Sequence, residues 1–320
     1  MKLSLSRVFV VLTALFLYQQ SFAQTTSNSI TDKERSKKYA KMAADTAKVN
    51  IPKAKEYALK SYFLAKRCES DSLILRSSKT LGILYKMLEN IDSSQYYSEV
   101  AIVHADKVGN KQVAATLTTL IANTYTEAGE YNKAYTFFDD AEKRYKVMNA
   151  DSIDPTYFFF KTNKANLFYR LTLYDMMLEE LFEAERIADS IGDDNFTAQI
   201  LGSIAIGYKY YGDLEKSTMY SKKSLKYLYA NDLDEAIILT NIGNNYSEMH
   251  KVDSALYYYD KAREIYQSKN AGPVSFCKLD IAQAEMFLEN DLPEEAEKIL
   301  YQIVDTLSLI HISEPTRQLQ

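Results

Sequence analysis

Residues 115–146 read ATLTTLIANTYTEAGEYNKAYTFFDDAEKRYK and predict two amphipathic helices joined by a tight turn at Ala128-Gly129-Glu130. Small side chains allow two helices to approach closely, and aromatic rings fill the rest of the seam between them. The positions that define this pattern are one small and one aromatic residue on the first helix, then a small, an aromatic and a small residue on the second: Ala122, Tyr125, Ala134, Phe138 and Ala141. The stretch therefore predicts one helical hairpin.

The same pattern recurs along nearly the whole chain at intervals of 38 to 43 residues. The first small position is occupied by Met42, Gly82, Ala122, Ala165, Ala205, Gly243 and Ala284, and the aromatic position by Asp45, Tyr85, Tyr125, Phe168, Tyr208, Tyr246 and Phe287. The two small positions of the second helix are Ala54, Ser94, Ala134, Met177, Ser217, Ala255 and Ala296, then Ser61, Ala101, Ala141, Ala184, Ser224, Ala262 and Ile303. Such a period predicts a solenoid, because one helix pair cannot bury its apolar face without a neighbouring pair.

This pattern resembles the tetratricopeptide repeat (TPR) over residues 33 to about 307. The resemblance rests on the small-x-x-aromatic spacing of the first helices and on the small and aromatic positions of the second helices. It implies an all-α fold, an α-solenoid of about seven stacked antiparallel helix pairs that form a TPR superhelix. Two features depart from the family: the chain has no tryptophan, and its period exceeds the usual thirty-four residues. HEAT-type pairs have periods near forty but lack these small and aromatic positions.

The first 23 residues are predicted to be a signal peptide. Lys2 and Arg7 precede an apolar stretch, Val8–Tyr18, and Ser21-Phe22-Ala23 has the small-x-small pattern of a cleavage site. The stretch is too short to span a bilayer, which needs about twenty residues. We therefore expect a mature chain exported to the periplasm or the cell exterior, with an uncleaved anchor as the alternative.

Beyond the signal peptide, the sequence predicts a polar lead-in at 24–32, the TPR solenoid at 33–307 and a tail at 308–320 that lacks the repeat pattern. The tail contains Pro315 and resembles a translated sequencing-adapter sequence, which would imply a truncated reading frame. The alternative is a natural, loosely ordered C-terminus. Capping boxes are predicted at Thr31-Asp32-Lys33-Glu34 and at Asp92 with Gln95.

Charge and motif content exclude several classes of function. Without Lys2 and Arg7 the chain has 36 basic and 43 acidic residues, a formal charge of −7, which argues against nucleic acid and anionic membranes as partners. The phosphate-binding, metalloprotease and serine-hydrolase motifs are absent. His104 and His250 are predicted to be surface or turn residues, and His311 falls in the tail. Cys68 and Cys277 lie too many repeats apart for a disulfide bond. We therefore expect no enzyme, no catalytic residue, no metal and no cofactor.

The first helix of each repeat lines the concave groove of TPR proteins, and the resemblance therefore implies a set of groove residues. A Thr-x-x-x-Asn pair appears there three times, and asparagine amides can pair with the backbone of an extended peptide. Asparagine is also common at this position in the family without any ligand. The predicted peptide-binding residues are Lys79, Thr119, Asn123, Thr162, Asn166, Thr240 and Asn244, with Tyr169, Arg170, Lys209 and Tyr210 one turn further on.

Two further observations bear on the ligand. The carboxylate-clamp subset of the family uses basic residues in the groove. Lys79 fits this pattern, but Thr162 and Asn166 stand where a lysine and an arginine would be, so a C-terminal carboxylate ligand is not favoured. The 26 tyrosines are interpreted as packing between helices, with a carbohydrate- or peptide-stacking face as the alternative.

The sequence therefore predicts an exported, non-catalytic TPR scaffold that binds a protein or an extended peptide in its concave groove. No nucleic-acid partner is expected, and no transmembrane helix follows the signal peptide. The alternative is a truncated extracytoplasmic sensor region of a membrane-anchored signalling protein, such as a histidine kinase or a helix-turn-helix regulator. An enzyme with a site in the groove is a third hypothesis, for which the sequence offers no catalytic group.

Overall fold

The structure is a computed structural model that describes residues 31–148, 155–228 and 233–304. These residues form helices joined by short turns, with no β-strand among them. They divide into two compact units, one before and one after the gap at residues 149–154. The first unit contains α1 (31–47), α2 (Ile51–Arg67), α3 (Asp71–Met87), α4 (Ile91–Lys107), α5 (Lys111–Glu127) and α6 (Tyr131–Val147). The second contains α7 (Pro155–Arg170), α8 (Tyr174–Ile191), α9 (Asp194–Tyr211), α10 (Leu214–Ser224), α11 (Leu233–Glu248), α12 (Val252–Ser268), α13 (Pro273–Glu289) and α14 (293–304).

Within each unit the helices are stacked in pairs. The pairs with the most extensive packing include α3 with α4, α5 with α6, α7 with α8 and α11 with α12. Each of α2, α4, α8, α10 and α12 also packs on the first helix of the following pair. This arrangement confirms the predicted all-α stack of helix pairs. The predicted signal peptide, nearly all of the lead-in and the tail lie outside the described residues.

The long repeat period comes from the length of the helices. α3, α4, α5 and α6 each contain 17 residues, and three-residue turns join them. The middle residue of these turns adopts a left-handed conformation, as Gly129 does with φ +76°. The next amide, that of Glu130, then donates to the Tyr125 carbonyl oxygen at 2.9 Å, which closes the helix end. Two such helices and two such turns give a period of forty residues.

The small positions lie where paired helices approach each other. Ala122 and Ala134 have no exposed surface, and the Ser94 hydroxyl donates to the Gly82 carbonyl oxygen at 2.8 Å. In the first pair, Ser36 and Ser61 each donate from Oγ to the carbonyl oxygen of the other, at 2.9 and 3.0 Å. Close helix approach therefore depends on hydroxyl bonds to the backbone as well as on small size.

The register predicted for the first pair is wrong by one residue. Ala43 is fully buried, whereas Met42 is partly exposed. The Asn50 amide donates to the carbonyl oxygen of Thr46, four residues back, whereas the Asn90 amide reaches back five residues. Three residues join the paired helices at both turns, so the turn after α1 differs from the turn after α3 in its backbone hydrogen bonds and not in its length. The small position lies one residue later on α1 than the repeat pattern predicted.

In several pairs, the ring at the aromatic position of the first helix stacks on a ring from the second helix of the same pair. Ring centroids lie 5.4–5.5 Å apart, with interplanar angles of 4–26°, in four pairs: Tyr85 with Tyr97, Tyr125 with Phe137, Tyr208 with Tyr220 and Tyr246 with Tyr258. Lysine ammonium groups lie over several of these rings, as Lys133 does over Tyr125 at 5.1 Å. Many tyrosines are thus packing residues.

Both predicted capping boxes are placed wrongly. Thr31 and Asp32 already lie within α1, where Asp32 is buried and pairs with Arg67 Nη2 at 3.1 Å. The N-cap of α4 is Asn90, whose side chain accepts from the Ser93 amide at 3.0 Å. Asparagine performs the same capping function as aspartate, so the helix begins earlier than Asp92 suggested.

Candidate functional site

A cavity of about 570 Å³ lies among the first helices of the second unit; we call it the second-unit cavity. Side chains one or two turns apart on α7, α9 and α11 line it, because residues three and four apart share a helix face. From these helices come Thr162, Ala165, Asn166 and Tyr169; Gly202, Ser203, Ala205, Ile206, Lys209 and Tyr210; and Ile238, Asn241, Asn244 and Asn245. The second helices α8 and α10 add Met177, Leu181, Ser217 and Ser221.

The structure brings six of the predicted groove residues together at this cavity: Thr162, Asn166, Tyr169, Lys209, Tyr210 and Asn244. Arg170 and Thr240 are not among its lining residues. Thr240 Oγ1 donates to the carbonyl oxygen of Ala236 at 2.8 Å, within its own helix. On α11 the cavity is lined by Asn244 of the predicted pair together with Ile238, Asn241 and Asn245.

The predicted residues of the first unit are placed differently. Lys79 is exposed on α3. Thr119 is 5% exposed on α5, and its Oγ1 donates to the Ala115 carbonyl oxygen at 3.0 Å. Asn123 Nδ2 donates to Glu127 Oε1 at 2.9 Å. Intrahelical bonds therefore occupy the Thr119 hydroxyl and the amide nitrogen of Asn123.

Two asparagines of the cavity, Asn241 and Asn245, were not predicted. Their sequence indicator is the density of asparagine in TNIGNNYSE, where three fall within five residues of α11. The side chains of Asn166 and Asn241 make no hydrogen bond to any described residue. The Asn244 Oδ1 atom accepts from the Tyr259 hydroxyl at 2.8 Å, which ties that carboxamide to α12.

Aromatic side chains form one side of the cavity. The ring centroids of Tyr169 and Tyr210 are 4.9 Å apart in an edge contact, and Tyr174 stacks on Tyr210 at 5.7 Å. A hydrogen bond with the Tyr210 hydroxyl raises the pKa of Tyr169 above its ordinary value. Tyr169 therefore stays protonated at neutral pH, and its ring supplies an apolar surface with a polar edge.

The polar groups of the cavity are nearly all neutral. Lys209 is the one charged residue among its described lining residues, and its Nζ lies 2.8 Å from Glu248 Oε1. The remaining groups are amides, hydroxyls and apolar side chains. This chemistry suits hydrogen bonding to neutral amide groups, since each carboxamide offers two donors and an acceptor.

The histidines and cysteines of the described residues do not gather into a site. Among the described residues no three His, Cys, Asp or Glu side chains are placed to hold a metal ion. His104, predicted at the surface, is mostly buried in α4 with Nδ1 2.6 Å from Asp71 Oδ1, whereas His250 lies in a turn. Cys68 and Cys277 are buried free thiols. In the same part of the chain, every helix is too short or too polar to cross a membrane.

Neither a protein-family model nor a curated protein matches this chain. Solved structures do. A signal transduction ATPase with numerous domains and a tetratricopeptide repeat sensor, from Pyrococcus horikoshii, aligns with a TM-score of 0.61 at 16% identity, over 86% of this chain and 46% of that one. The apo form of the quorum sensor NprR from B. thuringiensis gives 0.57 at 15% identity, over 93% and 94%.

A further structure, NprR in complex with its cognate peptide NprX, gives a TM-score of 0.51 at 16% identity, over 84% of this chain and 77% of that one. At such low identities these likenesses bear on the fold alone. The chain therefore has a TPR-like fold, as its repeat pattern implied.

Proposed function

We propose that this protein is a non-catalytic scaffold whose second-unit cavity binds an extended segment of a peptide or protein. The observation that carries the proposal is a neutral, amide-rich cavity in which the Asn166 and Asn241 carboxamides make no hydrogen bond to any described residue. These two side chains lie on different first helices, α7 and α11, so a bound segment would contact at least two repeats.

An extended peptide is the ligand that best matches these groups. It presents one N–H and one C=O per residue at intervals of about 3.3 Å, and a carboxamide can pair with either. NprR, which shares the fold, has been solved with a cognate peptide. The pairing of Lys209 with Glu248 disfavours a C-terminal carboxylate as the anchoring group.

The test compares asparagines inside and outside the cavity. Asn166→Ala combined with Asn241→Ala should weaken binding of fluorescein-labelled random decapeptide pools, capped at both ends, by about tenfold or more, because two hydrogen bonds of about 1 kcal/mol each are lost. Fluorescence polarisation measures the affinities. The matched control is Asn123→Ala in the first unit, where the Asn123 amide already bonds Glu127.

The control should bind the pools as the parent does. Equal affinity of the double variant and the parent would remove the second-unit cavity as the binding site. If Asn123→Ala alone weakened peptide binding, the binding site would lie in the first unit instead.

We also propose that the protein is exported. The support is the charged, apolar and small-residue order of residues 1–23, which lie outside the described residues. N-terminal sequencing of the chain recovered from the periplasm or medium should begin at Gln24. A cytoplasmic chain that retains residues 1–23 would refute export. The sensor role inferred from resemblance stays a prediction.

A further inference from the structure

The Asn245 carboxamide is only partly satisfied within the protein. Asn245 is 1% exposed and belongs to the lining of the second-unit cavity. Its Nδ2 donates to Ser217 Oγ at 2.8 Å, with a longer contact to Thr218 Oγ1 at 3.3 Å. Its Oδ1 is buried and accepts a hydrogen bond from no described residue. Buried polar side-chain atoms in native proteins usually have a protein or water partner, so a ligand group that reached this atom would complete its hydrogen bonding.

In either orientation of the Asn245 carboxamide, one of its two polar atoms has no partner. Rotating the Asn245 carboxamide by 180° would let Oδ1 accept from the Ser217 and Thr218 hydroxyls, which can act as donors or acceptors. The Nδ2 group would then be the one without a partner. In one orientation the ligand must donate, and in the other it must accept. A carboxamide can do both.

The surroundings restrict the ligand group further. Lys209 is already paired with Glu248, so neither a carboxylate nor an ammonium group of the ligand would find a free counter-charge among the described lining residues. Met177 and Leu181, also in the lining, offer apolar contact to methylene groups. Ser221 adds a hydroxyl that could pair with the remaining amide atom.

We propose that the second-unit cavity selects a neutral carboxamide side chain, an asparagine or glutamine of the bound segment, through a hydrogen bond to Asn245. This specificity rests on the proposed peptide-binding function and adds a residue preference to it. Because Oδ1 is buried, a ligand group reaches it only when the surrounding side chains move. The gain is the pairing of an amide atom that otherwise has no partner.

The test uses capped, fluorescein-labelled decapeptide pools with one fixed central residue: glutamine, asparagine, leucine, glutamate or lysine. We expect the glutamine or asparagine pool to bind the parent on the order of tenfold more tightly than the other three. Leucine is similar in size to asparagine but its side chain cannot form hydrogen bonds. The Asn245→Leu variant should therefore bind the carboxamide pool no more tightly than it binds the leucine pool. Asn163→Leu is the matched control, because Asn163 lies on α7 outside the cavity lining and bonds the Phe159 carbonyl oxygen.

The outcomes separate this inference from the proposed function. Pools that bind with no carboxamide preference, or with a preference that Asn245→Leu leaves intact, overturn the selectivity but leave peptide binding standing. Absence of binding by every pool overturns both. If Asn245→Leu does not fold, the side-chain amide resonances of Asn245 in ¹⁵N-labelled parent protein provide the readout. They should shift with the preferred carboxamide pool and not with the leucine pool, and unshifted resonances would refute the contact.

Discussion

The α5–α6 pair of the first unit and the α7–α8 pair of the second carry the same Thr-x-x-x-Asn motif, but the asparagine side chains differ in their hydrogen bonding. Thr119 is buried, and Asn123 bonds Glu127 four residues later. Asn166 has Arg170 at the corresponding position, and arginine has no acceptor for an amide N–H. The motif alone therefore does not make a binding site. In these two copies of the motif, the asparagine amide is engaged where a glutamate follows one helical turn later and not where an arginine does.

A second difference lies at the aromatic position of the second helix. In the α5–α6 pair, Phe137 stacks on Tyr125. In the α7–α8 pair the equivalent residue is Glu180, whose two carboxylate oxygens lie 2.7 Å from the ammonium groups of Lys161 and Lys164. The three side chains are only 7–12% exposed. A charge network thus replaces a ring stack in one of the pairs that line the cavity.

The largest expected effect comes from breaking this network. Glu180→Ala should lower the free energy of unfolding by about 3 kcal/mol, because it leaves buried ammonium groups without their carboxylate. Thermal or urea melts measure the change. Glu183→Ala, one turn away on the same helix, removes a carboxylate whose ion pair with Arg186 is exposed and should cost less than about 0.5 kcal/mol. Similar costs for the two variants would contradict the importance of the network.

The third Thr-x-x-x-Asn motif, on α11, allows a finer test. Gly243 lies against the ring of Tyr259, whose hydroxyl bonds Asn244, and a Cβ atom at Gly243 would overlap that ring. Gly243→Ala should therefore displace Tyr259, which is 1% exposed, and cost about 2 kcal/mol. The displaced hydroxyl would leave the Asn244 amide less constrained.

The smallest expected effect is that of the matched change on α9. A Cβ atom at Gly202 would find only Ser224 Oγ, at 3.8 Å. Gly202→Ala should therefore leave stability unchanged or raise it by up to about 1 kcal/mol, since alanine favours the helix. Thermal melts of the two variants give the comparison. If the two variants have the same melting temperature, the close contact with Tyr259 does not explain why residue 243 is a glycine.

Sequence reasoning predicted the stacked pairs well and the cavity incompletely. The small positions were found because they repeat, and Ala122 and Ala134 are indeed buried. The predicted register failed at Met42, because the turn after α1 has a different backbone hydrogen-bond pattern and the buried small residue is Ala43. Asn241 was missed because the repeat template places Thr240 in the groove, whereas Asn241 lines the cavity and Thr240 does not.

By itself the sequence determined the class of fold. Small and aromatic residues at a period near forty permit close helix pairing, and that constraint is local enough to read from spacing. Only the tertiary structure decided which amides remain available for a ligand. The availability of Asn166 and the unpaired atom of Asn245 depend on partners such as Ser217, which lies 28 residues from Asn245 along the chain and on another helix. Spacing along one helix cannot report a hydrogen bond between two.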